Sequence, residues 1–293
     1  MKKNSYKSWI IPLLPAFVLL GMFFIAPAIW AIYVSFTNMN LTGSNAIHWQ
    51  FVGFYNYYNI ILDNSFWTSL LVTAYFLFGS VAGQLILGLL LAVYLKGQKL
   101  IIRSVVEIFA IIAWVMPEVV TGFAWISFLN YPGGLGNVLI SFLGLSQPWL
   151  FTHPLFSVTV ANIWRGSTFS LLMFIAALDG IPKELPEAAK VDGGNQLQIF
   201  FHVTLPLIKT TILTDLVLIT LFTIGAFTLV FTMTSGGPGD ATDLLSIYAY
   251  RQAFNFYSIG YGSAVSVIML IIGILLSITY VTFGYRSEKP EFK

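Results

Sequence analysis

Between Lys7 and Asp63 the chain carries no charged residue, and the apolar part of that gap, residues 10–36, is long enough to cross a lipid bilayer. A spanning helix needs about 20 mostly apolar residues. The same kind of gap recurs at 67–95, at 105–129 around Glu107 and Glu118, at 155–178 around Arg165, at 211–232 around Asp215, and at 259–283. Of the 293 residues 57% are hydrophobic and only 9% are charged, against about 25% charged in soluble domains. A surface so poor in charge has lipid as its solvent. The expected fold is all-α: a membrane protein of about six transmembrane helices forming one domain over residues 1–293. Lys2, Lys3 and Lys7 precede the first run as they would in a signal peptide. That run is too long for a signal core and no small-residue cleavage site follows, so it reads as an uncleaved anchor.

Six spans place both termini on one side. Lys2, Lys3, Lys7, Lys96, Lys99, Arg103, Lys183, Lys190, Lys209, Arg286, Lys289 and Lys293 then share that side; the opposite loops hold only Arg251, and Arg165 is within a span. Basic residues accumulate on the cytoplasmic side, so both termini are expected in the cytoplasm. The opposite loops, 37–66, 130–154 and 233–258, are rich in Asn, Gly, Ser and aromatic residues, and Trp49, Phe51, Phe54, Tyr55, Tyr57, Tyr58 and Trp67 suit an interfacial belt.

The loop at 179–210 is unlike the others. Pro182 and Pro186, with Glu184 and Glu187, suit a helix entrance, and Asp192-Gly193-Gly194 suits its exit. A second short helix is expected at 196–203, with Leu197, Phe200 and Phe201 on one side and Leu205-Pro206 as its stop. Two short helices with apolar faces suit either a docking element or an amphipathic segment lying on the lipid.

Glu187-Ala188-Ala189, with Asp192-Gly193 just beyond, then Phe200 and Leu205-Pro206, resembles the EAA loop of the permease subunits of binding-protein-dependent ABC importers. The departure is Gly194, where that family usually has alanine. Asn162-Ile163-Trp164-Arg165-Gly166 resembles the stretch that precedes this loop in carbohydrate permeases; Phe51 to Tyr57 and Gly236-Gly237-Pro238 resemble their first and third outer loops. Pro117, Gly122 and Trp125 fit their third span less tightly. The resemblance covers nearly the whole chain and is similar to the maltose-type branch. It implies a multi-pass subunit of a bacterial or archaeal cytoplasmic membrane, with a second homologous permease, two ATP-binding subunits and an extracytoplasmic solute-binding protein as partners. ATP and Mg would be bound in the ATPase subunits and no cofactor in this chain. The loop would be the ATPase-coupling element, through Glu187, Ala188, Ala189, Asp192, Gly193, Phe200, Leu205 and Pro206. The carbohydrate path would be lined by Asn162, Arg165, Gly166, Phe169, Phe222 and Thr223.

The chain lacks a G-x-x-x-x-G-K-[ST] phosphate loop and an H-E-x-x-H zinc motif, and it has no cysteine. No catalytic role is therefore expected, no metal site, and at a net charge of +2 no nucleic-acid partner. His48, His153 and His202 fall in loops. Charges inside spans are candidates for function because each is unfavourable there unless paired or wet. Glu107 and Asp215 lie near the inner boundary, within reach of snorkelling. Glu118 and Arg165 each lie 13 residues from it, and at 1.5 Å per residue share a depth of about 20 Å. They form either a pair that fixes helix packing or part of a watered solute path. An ion-coupled secondary transporter, with Glu118 and Asp215 as proton sites, is the alternative function. Gly79-x-x-x-Gly83 permits a close helix contact.

Overall fold

The structure, a computed structural model, describes residues 5–286, with side chains from 13 to 282. Lys2, Lys3, Lys289 and Lys293, part of the orientation argument, lie outside the described residues. The described residues are overwhelmingly helical and contain no strand, only one isolated bridge between Thr37 and Phe51. In chain order the helices are α1 (5–34, with a π-turn at Gly21–Ile25), α2 (Tyr55–Leu62), α3 (Asn64–Lys96), α4 (Leu100–Val115), α5 (Glu118–Leu129), α6 (Leu135–Ser141) and α7 (Trp149–Thr152). There follow α8 (Pro154–Asp179), α9 (Glu184–Val191), α10 (Gln196–Leu207), α11 (Lys209–Ile224), α12 (Thr228–Thr234), α13 (Leu245–Tyr250) and α14 (Ile259–Arg286).

Four helices, at Leu13–Val34, Asn64–Lys96, Pro154–Asp179 and Ile259–Thr282, are long and apolar enough to cross a membrane unaided. Two more crossings arise if each of two bent pairs counts as one: α4 with α5, bent by 105°, and α10 with α11, bent by 68°. The expected third span, 105–129, is thus broken. Pro117 offers no N–H to continue the ladder, and it holds Met116 in extended geometry (ψ 131°), where α4 stops. The expected fifth span, 211–232, is not one helix either. α11 ends at Ile224, Gly225 to Phe227 turn the chain, and α12 begins at Thr228. Pro206 does not stop α10, which runs through a π-turn at Phe200–Thr204 to Leu207 before bending at Ile208.

The chain packs as two units. The first is Met1–Trp67 with Tyr248–Leu270; the second is Thr68–Ile247 with the segment from Ile271 onward. In the first, Asn56 is buried and donates both amide hydrogens, to the carbonyls of Ser35 and Thr37, each at 2.8 Å. Asp63 accepts hydrogen bonds from the Tyr248 hydroxyl (2.5 Å), the Tyr261 hydroxyl (3.1 Å) and the Ser65 backbone (2.8 Å). Burial works against the charge of Asp63, but these hydrogen bonds together outweigh it and hold its carboxyl below the ordinary aspartate value. Within residues 13–34 only Val34 is buried, and Trp30 and Tyr33 meet Trp49 edge to face at 6.3 and 5.8 Å.

In the second unit α3 and α8 lie against each other. A side chain at Gly83 would run into Ile163, and one at Gly88 into Ser170 and the backbone of Leu171. Gly79 meets Thr159 in the same row. The small residues therefore serve close packing. One apolar core gathers Phe76, Val158, Ala161, Leu229, Val230 and Met233; a second, toward the basic end of the unit, gathers Ala92, Leu95, Leu171, Phe174, Leu178 and Ile208. At that end Arg103 forks between Glu107 (2.6 Å) and both oxygens of Asp179 (2.9 and 2.5 Å), and Lys96 donates to the carbonyl of Leu178 at 3.0 Å. Glu107 is thus paired within the protein. Asp215 departs from the expectation of snorkelling: it is fully buried on α11, facing Ser170 of α8.

Candidate functional site: a polar cavity and an exposed helical loop

The second unit has an open cavity of about 370 Å³ between α3, α4, α5, α8, α11 and the start of α12. All seven residues proposed from sequence for a solute path line it: Glu118, Asn162, Arg165, Gly166, Phe169, Phe222 and Thr223. Asn162, Arg165, Gly166 and Phe169 come from successive turns of α8, at the 3- and 4-residue intervals that share a helix face. Phe222 and Thr223 come from the last turn of α11, just before the chain turns at Gly225. Glu118 is the first residue of α5, so the break at Pro117 delivers its carboxylate to the cavity wall. There its Oε1 accepts from Nη1 of Arg165 at 3.0 Å. The equal depth of the two charges along their spans is realised as an ion pair.

Two further lining residues, Gln84 of α3 and Trp114 of α4, were not singled out from sequence. Gln84 is almost fully buried and donates to the Thr223 hydroxyl at 3.4 Å. Its amide rests against Gly166, where a Cβ would stand 2.2 Å from Gln84 Oε1. The ring of Trp114 meets Phe169 at a centroid distance of 5.6 Å, and Phe169 meets Phe222 edge to face at 5.7 Å. The lining therefore joins a cluster of three aromatic rings with amide, hydroxyl and paired charge.

The loop beyond α8 is built differently. α9 carries Glu184 and Glu187 in its first turn and Lys190 in its last, in accord with the helix dipole. It ends where Gly193 takes φ +88°, a conformation that favours glycine. Gly194 tightens this turn: its N–H donates to the carbonyl of Ala189 at 3.0 Å, and a Cβ would stand 2.8 Å from that oxygen. Asn195 and Gln198 cap α10 reciprocally, each side chain accepting from the other's backbone N–H, at 2.8 and 2.9 Å. Glu187, Ala188, Asp192, Gly193 and Pro206 are exposed, while Ala189, Phe200 and Leu205 are half-buried. Leu185, Val191, Leu197 and Phe201 are exposed apolar neighbours, Val191 at 88%.

The family described as binding-protein-dependent transport system inner membrane component matches residues 84–288, well over half of the chain. The chain belongs to this family. The stretch that marks it as such an inner-membrane component opens on Gln84 and encompasses the whole cavity and the whole exposed loop. Among curated relatives of this component, the trehalose/maltose transport system permease protein MalF of Thermococcus litoralis is 32% identical over 287 residues, covering 97% of this chain and 96% of its own. The sulfoquinovosyl glycerol transport system permease protein SmoG of Agrobacterium fabrum is 33% identical over 273 residues, covering 92% and 87%. A solved bacterial alginate ABC transporter, in complex with an alginate pentasaccharide-bound periplasmic protein, contains a chain with the same fold. That chain superposes with a TM-score of 0.81 at 21% identity, with 98% of both chains covered.

Proposed function

We propose that this inner-membrane component is the permease subunit that passes a carbohydrate through the membrane, through the cavity between α3, α4, α5, α8 and α11. The carrying observation is the composition of that cavity. The aromatic cluster suits the apolar faces of a sugar ring, and Gln84, Asn162 and Thr223 suit its hydroxyls, which both donate and accept. The relatives named for trehalose/maltose and sulfoquinovosyl glycerol transport support a sugar-like solute. A periplasmic binding protein, of the kind seen with the alginate transporter, would deliver it.

The loop at 179–210 is the coupling element in this reading, and the apolar side chains exposed along α9 and α10 would seat in an ATP-hydrolysing partner. A second permease and two ATPase subunits complete the importer, ATP and Mg binding in the ATPases. The basic end, with Lys96, Lys99, Arg103, Lys183, Lys190 and Lys209, faces the cytoplasm, and both termini with it. The test is uptake into proteoliposomes holding the complete importer. Sugar should enter only with ATP on the side of the coupling loop, and Phe169→Ala combined with Asn162→Ala should abolish entry while leaving the complex assembled. Uptake driven by an ion gradient without the ATPase would replace this reading with the ion-coupled one.

A further inference from the structure

Among the described residues Glu118 and Arg165 are the only charged ones in the cavity lining; Gln84, Asn162 and Thr223 are also polar. The two charges are paired at 3.0 Å, so these residues together present no net charge. Arginine recognises a carboxylate best through two parallel N–H donors. Here Nη1 is given to Glu118 and Nε is buried without a partner, so a solute carboxylate meets only the remaining Nη hydrogens, next to Glu118. Bound there, it would lie beside the Glu118 carboxylate or compete with it for Arg165. Like charges at such distances repel, and side chains only 26% and 33% exposed are incompletely screened by water. An uncharged sugar meets no such barrier.

We infer that the cavity is built for an uncharged polyhydroxylated solute, and that Glu118 is the residue that disfavours anionic sugars, by neutralising Arg165 and repelling a second carboxylate beside it. This deepens the proposed function and rests on the cavity being the solute path. It narrows the proposed carbohydrate to the uncharged class.

Trp114, in the aromatic cluster, supplies a readout that bypasses the binding protein. The probes are a neutral gluco-disaccharide and the same disaccharide oxidised to a uronate at one C6. Each is titrated against the complete importer in nanodiscs, and the signal is the fluorescence change that Trp114→Phe removes. The wild type should favour the neutral sugar by about tenfold or more, and Glu118→Gln should raise affinity for the uronate by a similar factor, an effect that fades with salt. Should Glu118→Gln fail to assemble, Glu118→Ala provides the second arm, and its preference for the neutral sugar over the uronate should fall in the same direction. Equal or tighter binding of the uronate by the wild type overturns the inference, as does an unchanged ratio of the two affinities in the Glu118 variant that assembles. Failure of the underlying function looks different: no Trp114-dependent signal from either sugar, together with normal uptake by the Phe169 and Asn162 variants.

Discussion

Gln84 donates to the Thr223 hydroxyl, and its amide fills the space that the missing side chain of Gly166 leaves open. Gly166→Ala would push a methyl group into that amide, an overpacking cost of about 1–3 kcal/mol. Uptake should fall sharply in this variant while the complex still assembles, and adding Gln84→Ala should restore the yield and thermal stability without restoring uptake; detergent melting curves and uptake rates separate the two effects. Asp63 makes a prediction of opposite character. Its pKa is lowered in the folded chain, so its contribution is present above the unfolded value of about 3.9 and is lost as the pH falls through the lowered folded value. The wild-type melting temperature should therefore drop below about pH 4, and Asp63→Asn should be less stable at neutral pH with a shallower acid-side decline, since the ion pair of Asp179 with Arg103 is lost in acid as well. Glu118 and Arg165 were legible in the sequence because charge inside a span stands out and depth can be counted at a fixed rise per residue. Gln84 and Trp114 were not. On a helix that is apolar all round, lipid and protein interior select the same side chains, so periodicity does not say which face looks inward.

α9 is eight residues long, and what fixes its exit is a single residue at φ +88°. Proline cannot take that angle and would also remove the N–H that Gly193 donates to the Lys190 carbonyl at 3.1 Å. Gly193→Pro should leave membrane insertion and helix packing intact and abolish both ATPase association and uptake. Glu187→Lys should weaken association by reversing an exposed charge in the first turn. Co-purification of the ATPase with each variant is the measurement, and normal recovery with normal uptake would remove the docking role. The entrance and exit of α9 could be read from Pro182, Pro186 and Asp192-Gly193 because these residues act on the backbone locally. The breaks in the long runs could not be placed so well. Pro117 was visible, but whether a proline kinks a span or turns it by 105° depends on what its neighbours pack against. The turn at Gly225 to Phe227 has no proline at all, and the apolar run passes through it unmarked.

For the molecule as a whole, the distribution of basic residues makes one further prediction. The chain has no cysteine, so single cysteines can be placed without background. In intact cells, cysteine at Lys190 should resist a membrane-impermeant thiol reagent, whereas cysteines at Ser44 and Asp240 should react. Labelling at Lys190 from outside would overturn the proposed orientation. The helical class and the approximate number of crossings were open to inspection because bilayer thickness imposes a length on every span. The partition into two packing units was not, since it depends on contacts between segments as distant in sequence as Asp63 and Tyr261. The exposure of most side chains between Leu13 and Tyr33 bears on how such a chain is assembled. A strand needs neighbours to satisfy its backbone, whereas a spanning helix such as this one satisfies its own. Exchanging its outward Phe and Leu side chains, such as Phe17, Phe23 and Phe24, for other apolar residues should leave the melting temperature of the isolated subunit unchanged. Any such exchange that lowers the yield of the assembled importer identifies, by elimination, a contact supplied by a different polypeptide.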